Sequence, residues 1–336
     1  MTDFPIDAVI AWVDGADPAH RAKRAKYSLK GVNDNSLAGG DQRFVQFGEI
    51  RWCVASILRF APYIRKIFIV TDGQDPCLDA FLDEHFPSRT TAVEIVDHSV
   101  LFRGRENLLP VFNCRSLECA FWMIPDLSEH FIYFNDDFVL CRPCPREMFF
   151  DSEGRGICYA SWFSVPVARA IRTWKRWRRP GSRASGFKDG MLSSALQLGE
   201  KWRFPYIGHI PSALRKSVVA NYFTENPSVL DRQMSYRFRD PDQFNSQVLN
   251  YLLGLRPGAY LTRSRRDTDS RAYVMRSRRG LDMLMGHRVK PGYVQRKLSY
   301  ATRHDSVHFC CFNSLEKLSP ADLALVRDWL SALLLH

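Results

Sequence analysis

No segment of this 336-residue chain approaches the roughly 18 uninterrupted apolar residues that a membrane-spanning helix requires, so no helical span is expected within it. The opening Met1-Thr2-Asp3-Phe4-Pro5 lacks the basic stretch and apolar core of a secretory signal. The expected location is cytoplasmic, compatible with peripheral contact at the inner face of a membrane. The nine cysteines are odd in number and sit in core-like runs such as Trp52-Cys53-Val54 and Phe309-Cys310-Cys311-Phe312, a pattern of reduced buried thiols rather than of a disulfide framework. Gly/Ser linkers, Pro-rich linkers and internal repeats are also missing, which leads to the expectation of one folded unit. Acidic residues are in deficit. There are 36 Asp and Glu against 47 Lys and Arg, and the net charge of +11 points to an anionic partner such as a nucleotide, a phosphate-bearing polymer or a membrane surface. With 46% hydrophobic and 25% charged residues, the composition is that of a folded protein, not a disordered one.

What is present is an alternation of strand and helix signals. Asp7 to Val13 is a short apolar run emptying into Asp14-Gly15, as a buried strand ending in a turn would. Phe47, Ile50, Val54, Ile57, Leu58 and Ala61 recur at helical spacing until Pro62, and Lys66 to Thr71 then forms a second strand ending in Asp72-Gly73. A helix across Pro76 to His85, a strand Ala92 to Val96 ending in Asp97-His98, a helix from Asn113 to Met123 and a strand Phe131 to Phe134 ending in Asn135-Asp136-Asp137 complete the pattern. This order predicts an α/β fold with a mostly parallel sheet covered on both faces. Past about Asp151 helices are expected to dominate and arginines cluster; residues 1–150 thus form an α/β part and 151–336 a helical, basic continuation that completes the cleft. Near the C-terminus Ser319 reads as the N-cap of a helix with Pro320 in its first turn.

Ligands of parallel sheets bind beyond the carboxyl ends of the strands, and here those ends carry Asp14, Asp72, Asp97 and the Asp136-Asp137 pair. Adjacent acids suit a hard divalent cation bridging a diphosphate, because Mg²⁺ takes one or two carboxylates plus phosphate oxygens and water; a solvated acidic turn is the plain alternative. Cys141-Arg142-Pro143-Cys144 has no second pair at zinc spacing, and Asp97-His98 reads equally well as a cleft-lining pair or as a turn. Arg169 to Arg183 holds seven basic residues and no acid, interleaved with Trp174 and Trp177, and Arg263 to Arg279 again holds seven arginines. Each is either a solvated basic face or a contact for phospholipid or a polyanionic chain. Neither belongs to a helix-turn-helix or zinc-finger pattern, so no specific nucleic-acid partner is expected.

Four segments together resemble, in type and order, the four sequence blocks of the Stealth family of sugar-phosphate transferases. The first is Ile6 to Pro18. The second carries Phe47, Glu49, Arg51, Ser56-Ile57, Ala61-Pro62 and Ile69 to Gln74, then Leu109-Pro110, Phe112-Asn113, Glu118, Ile124-Pro125 and Leu127 to Asp137. The third holds Gly208-His209-Ile210-Pro211 and Tyr236-Arg237-Phe238-Arg239; the fourth and weakest is Phe309-Cys310-Cys311-Phe312-Asn313. Three positions depart from the family pattern: Ala55 and Arg115 stand where it usually carries Arg and His, and Ser314 where it usually carries Asp.

The resemblance implies a nucleotide-sugar-binding fold of the glycosyltransferase A kind and transfer of a hexose 1-phosphate from a nucleotide sugar to a glycan or lipid-linked acceptor, as in capsule or exopolysaccharide assembly. It implies that Asp14, Asp137, His209 and Arg239 are catalytic, that Arg51, Asp72, Asn135 and Asn313 contact substrate, and that Asp136 and Asp137 hold Mg²⁺ or Mn²⁺. In this chemistry Arg239 braces a phosphate through its fork, and His209, whose ordinary pKa lies near neutrality, is the candidate general base. Two rival expectations remain: a metal-dependent sugar transferase attacking the anomeric carbon, which the acidic strand ends fit equally well, and a non-catalytic polyanion binder, which the basic runs fit.

Overall fold

The computed structural model describes residues 4–27, 47–178, 186–264, 272–276, 292–313, 315 and 318–335. The polar stretch Asn33 to Asp41, the end of the first basic run, most of the second and Ser314 lie outside the described residues.

The apolar runs become the strands they predict. In chain order come β1 (Ile6–Ala11), α1 (Pro18–Tyr27), α2 (Glu49–Phe60), β2 (Ile64–Thr71), α3 (Asp79–His85), β3 (Ala92–Asp97), α4 (His98–Leu101), α5 (Cys114–Glu118), β4 (His130–Asn135) and β5 (Phe138–Leu140). The second half holds β6 (Gly156–Ser164), α6 (Val165–Arg178), α7 (Phe187–Gln197), β7 (Arg203–Ile207), β8 (Ser212–Arg215), α8 (Lys216–Glu225), α9 (Pro227–Met234), α10 (Ser246–Leu255), β9 (Tyr260–Ser264), β10 (Ala272–Arg276), α11 (Tyr293–Arg303), β11 (Phe309–Asn313) and α12 (Pro320–Leu334). Ser319 caps α12 as its sequence predicts, its hydroxyl accepting from Asp322 N at 3.1 Å. No helix of the described residues is long and apolar enough to cross a membrane.

Among the described residues the central sheet runs β3-β2-β1-β4-β8, with β1 to β4 parallel and β8 antiparallel on the β4 edge. Alternate residues of each strand enter opposite cores, as the two-residue side-chain period demands. Val9, Phe68, Val70, Phe131 and Tyr133 face a core shared with α5 and α7 to α10. Ala8, Ile10, Ile67, Ile69, Ile132 and Phe134 face one shared with α2 and α3. A third cluster packs α11, α12, β5 and β11 against Ala55 of α2.

The helices expected after residue 151 are present, and strands β6 to β11 run among them. β7-β6-β9 and β10-β11-β5 form two smaller sheets. The helix expected from Asn113 to Met123 is shorter: α5 ends at Glu118, and a 3₁₀ turn covers Phe121–Met123. Leu117, Cys119, Ala120, Phe121 and Ile124 are all buried, and a run enclosed on every side fits a straight helix or a broken path alike.

Candidate active site

Strand order fixes where a ligand can sit. From β1 the chain builds outward through β2 and β3, then returns to the other side of β1 for β4, so the switch point lies between β1 and β4, where α/β sheets open a crevice. Ala11 of β1 stands opposite Asn135 of β4. Asp14 therefore follows one wall of the crevice, and Asn135-Asp136-Asp137 end the other.

Three elements converge on this acidic turn. α2 starts beside it: the Cys53 thiol lies 3.6 Å from Asn135 O and is pushed well above its usual pKa, first by burial and then by Asp136 and Asp137. β11 runs antiparallel to β5, so that Phe312 N donates to Asp137 O at 2.9 Å and Cys311 Sγ to Asp137 Oδ2 at 3.4 Å. This brings the backbone of Asn313 to the same turn. β8 begins with Ser212 opposite Tyr133, and since the pair is antiparallel, the segment that leads into it, His209 to Pro211, approaches from the carboxyl end of β4. The His209 ring stacks on Phe187, centroids 4.8 Å apart, at the start of α7.

Arg239 arrives by a different route. The Leu109-Pro110 to Asn113 segment holds its loop: Phe112 N donates to Arg237 O at 2.6 Å, Asn113 Nδ2 to Tyr236 O at 2.7 Å and Ser116 Oγ to Tyr236 O at 2.7 Å, while Arg237 Nη1 donates to Leu108 O and Pro110 O at 3.1 Å each. Arg239 Nη2 then reaches Cys114 Sγ at 3.3 Å. Glu118, one turn further along α5, accepts from the Tyr133 hydroxyl at 3.0 Å, and that hydroxyl is 2.6 Å from Asn135 Oδ1. A hydroxyl has one proton, so Tyr133 serves Glu118 and Asn135 in turn. Its pKa is raised well above the usual value, by burial first and Glu118 next. Arg115 lies behind Arg239, buried, with Nη2 donating to Gly186 O at 2.8 Å. Burial and then Arg239 push its pKa down to about 10. A Cβ on Gly190 would come within 2.7 Å of Arg115 Nη2, so this position of α7 must be glycine for the guanidinium to lie against it.

The acids of β1 to β3 have structural partners. Asp14 Oδ1 accepts from Ala16 N at 2.8 Å, and Gln74 clips the Asp14 backbone on both sides, at 2.8 Å and 2.9 Å. Asp72 pairs with Lys23 at 2.8 Å. Asp97 caps α4 through Ser99 N at 2.9 Å and accepts from Gly73 N at 2.7 Å. His98 is buried, neither ring nitrogen has a hydrogen-bond partner, and burial above all lowers its pKa to about 4. Arg51 lies over the Phe81 ring, 5.1 Å from its centroid. Two residues apart on a helix point nearly opposite ways, so Arg51 faces away from the turn that Cys53 approaches.

Asn135, Asp136, Asp137 and the backbone of Asn313 thus meet at the end of β4; Arg239 is tied towards it through Cys114 of α5 and the Glu118–Tyr133–Asn135 link, and His209 lies on the segment leading into β8, against Phe187. Asp14 borders the crevice, and Asp72 and Arg51 stand apart. Among the described residues no group of three or more His, Cys, Asp or Glu could hold a metal ion. A cation shared with a diphosphate needs only one or two carboxylates, and Asp136 and Asp137, adjacent and half-buried, are donors of that kind. Tyr133, Arg115 and Glu118 are site neighbours that composition and spacing do not single out; the signal in the sequence is that Tyr133 and Glu118 fall within the second block and that Arg115 departs from it.

Residues 4–32 match Stealth protein CR1, conserved region 1, and residues 43–157 match Stealth protein CR2, conserved region 2. His209, Arg239 and Asn313 lie beyond these ranges. The chain is 35% identical over 236 residues to an exopolysaccharide phosphotransferase of Streptomyces coelicolor, covering 70% of this chain and 40% of that protein. It is 32% identical over 264 residues to a capsular polysaccharide phosphotransferase of Aeromonas hydrophila, covering 75% and 68%. The apo crystal structure of mouse xyloside xylosyltransferase 1 aligns with TM-score 0.46 and 14% identity over 94% of this chain and 100% of that one, a level of likeness that leaves the fold to be described by this chain's own strand order.

Proposed function

The chain belongs to the Stealth family, and from that premise we propose that it transfers a hexose 1-phosphate from a nucleotide sugar to an acceptor hydroxyl, forming a phosphodiester in a capsular or extracellular polysaccharide. The whole chain acts as one catalytic unit in this reading, since β8 of the second half completes the sheet of the first. The observation that supports it is an acidic turn at the switch point, linked through Tyr133, Glu118 and Cys114 to Arg239, with His209 on the segment that leads into β8. That set can neutralise a diphosphate and deprotonate an alcohol.

Asp136 and Asp137 would hold Mg²⁺ or Mn²⁺, which when bound supplies charge neutralisation to the diphosphate. Arg239 braces the transferred phosphate through its fork, with the Arg115 charge behind it. His209 takes the proton of the acceptor hydroxyl as its oxygen bonds to the phosphorus next to the sugar. The bond from that phosphorus to the bridging oxygen breaks, and the nucleoside monophosphate leaves. Asn135 and Asn313 contact the sugar phosphate, and Asp14 lines the crevice. The acceptor is a glycan or a lipid-linked sugar, and the basic residues allow peripheral approach to the inner membrane face from the cytoplasm.

A panel of nucleotide sugars incubated with the protein, with and without EDTA, tests this. Release of nucleoside monophosphate that EDTA abolishes is expected. Nucleoside diphosphate release would favour a metal-dependent sugar transferase attacking the anomeric carbon. Polyanion retention without turnover would favour a non-catalytic binder.

A further inference from the structure

We propose that α6 is a docking element for the surface of an anionic phospholipid bilayer. Its sequence Val-Pro-Val-Ala-Arg-Ala-Ile-Arg-Thr-Trp-Lys-Arg-Trp-Arg contains no acid, and of its fourteen residues Val165 alone is buried. Residues of an α-helix follow one another at about 100°, which puts Val167, Ile171 and Trp174 in one line, with Ala170 and Trp177 beside it, as a stripe roughly 120° wide. Val165 and the half-buried Ala168 and Arg172 fall on the opposite side, where Arg172 Nη1 meets Ser193 Oγ of α7 at 3.2 Å. The apolar stripe therefore points away from the protein, the reverse of an ordinary surface helix.

Two more exposed tryptophans flank the start of α6. Trp202 offers its carbonyl oxygen to Val165 N at 2.9 Å, and Trp162 stands opposite Pro205 on β7. Four of the chain's eight tryptophans are thus exposed around this element, Trp177 at 78% and Trp202 at 79%. Single exposed apolar residues need no explanation, but a cluster does. Arg178 lies 4.9 Å over Trp174 and Arg203 4.7 Å over Trp162, so aromatic and cationic groups are interleaved. Arg169 and Lys175 add exposed charge.

Charge complementarity selects the occupant. An amphipathic helix lies in the plane of an anionic interface with tryptophan at headgroup depth and Lys or Arg stems reaching the phosphates. A soluble polyanion would satisfy the charges but leave the stripe in water. None of the residues proposed to touch the bilayer takes part in the reaction proposed above, so docking holds or fails independently of it.

Co-sedimentation of the whole chain with phosphatidylcholine vesicles, with and without phosphatidylglycerol, at low and high salt, tests the proposal. Binding is expected only with phosphatidylglycerol present, weakened by salt. R169Q/K175Q/R178Q should weaken it about a hundredfold and W174S/W177S on the order of tenfold or more, both with unchanged circular dichroism. Absence of vesicle binding would overturn the proposal. Undiminished binding by W174S/W177S would reduce the contact to a polyelectrolyte one, and a dimer of the parent chain that W174S/W177S dissolves would assign the stripe to a second copy; either result also overturns it.

Discussion

The two ends of the central sheet both carry acids, and they treat them differently. At the amino end, Asp7 of β1 is completely buried, but both its oxygens are engaged by Arg65, Nε to Oδ1 at 2.9 Å and Nη2 to Oδ2 at 2.8 Å, and Ser128 N donates to Oδ2 at 2.7 Å. A carboxylate held by a bidentate fork and a backbone donor is fastened into the fold. At the carboxyl end, Asp137 Oδ2 takes a thiol, a weak donor, at 3.4 Å, and Asn135 shares a tyrosine hydroxyl with Glu118. Arg65 supports the sheet, whereas Arg239 and His209 are carried to the other end by loops from distant parts of the chain. The acid at the amino end thus serves stability, while of the carboxyl-end acids Asp14, Asp72 and Asp97 have structural partners and the Asp136-Asp137 turn is the pair that the proposed reaction uses.

Separate substitutions should break this comparison apart. Asp137→Asn keeps the shape and loses the charge, so turnover should fall on the order of a thousandfold while the thermal midpoint stays close to that of the parent; a variant that unfolds, or works, would return Asp137 to the structural class. Asp7→Ala should do the reverse, removing about 3 kcal/mol of stability in urea unfolding because Arg65 and Ser128 N lose their partner. Activity per folded molecule should be retained, and a specific loss of turnover there would erase the distinction between the ends. His209→Ala should lower turnover about a hundredfold, within the range for a general base, and leave nucleotide affinity intact in calorimetry; lost affinity would move His209 to a phosphate contact.

The smallest effect separates the two sides of the carboxyl end itself. His98, buried behind Asp72 and Asp97, has its pKa lowered to about 4 from 6.5. A depressed histidine binds its proton only when unfolded across that window, so stability is full above about pH 6.5 and is lost as pH falls towards 4. Between pH 7 and pH 5 the loss should be about 2 kcal/mol. His98→Leu should flatten that dependence, and an unaltered pH profile would mean that other groups carry it.

Much of this arrangement was legible because β1, β2 and β4 are buried on both faces, while the edge strand β3 is short and bounded by turn residues. Continuous apolar runs ending in Asp14, Asp72, Asp97 and Asp136 gave β1 to β4 and the edge to search. β8 was not legible: Ser212–Arg215 is too short to show a period, and its pairing with β4 bridges a long sequence separation. The α5 break was hidden because apolar spacing at a fully buried segment fits a helix or a broken path equally well. Resemblance named His209 and Arg239, but how they reach the β4 end rests on Asn113, Ser116 and the β8 ladder, contacts without a sequence signature. The closeness of Arg115 to Arg239 is likewise purely tertiary. It puts a cation where the family usually carries histidine.

The bond that breaks is the most direct test of the reaction assigned to the carboxyl end. Phosphorus NMR of the protein with a nucleotide sugar and an acceptor should show a new phosphodiester signal rising in step with nucleoside monophosphate. Nucleoside diphosphate accumulating with no phosphodiester would contradict attack at phosphorus, and would make the same acidic turn the site of a sugar transfer at the anomeric carbon.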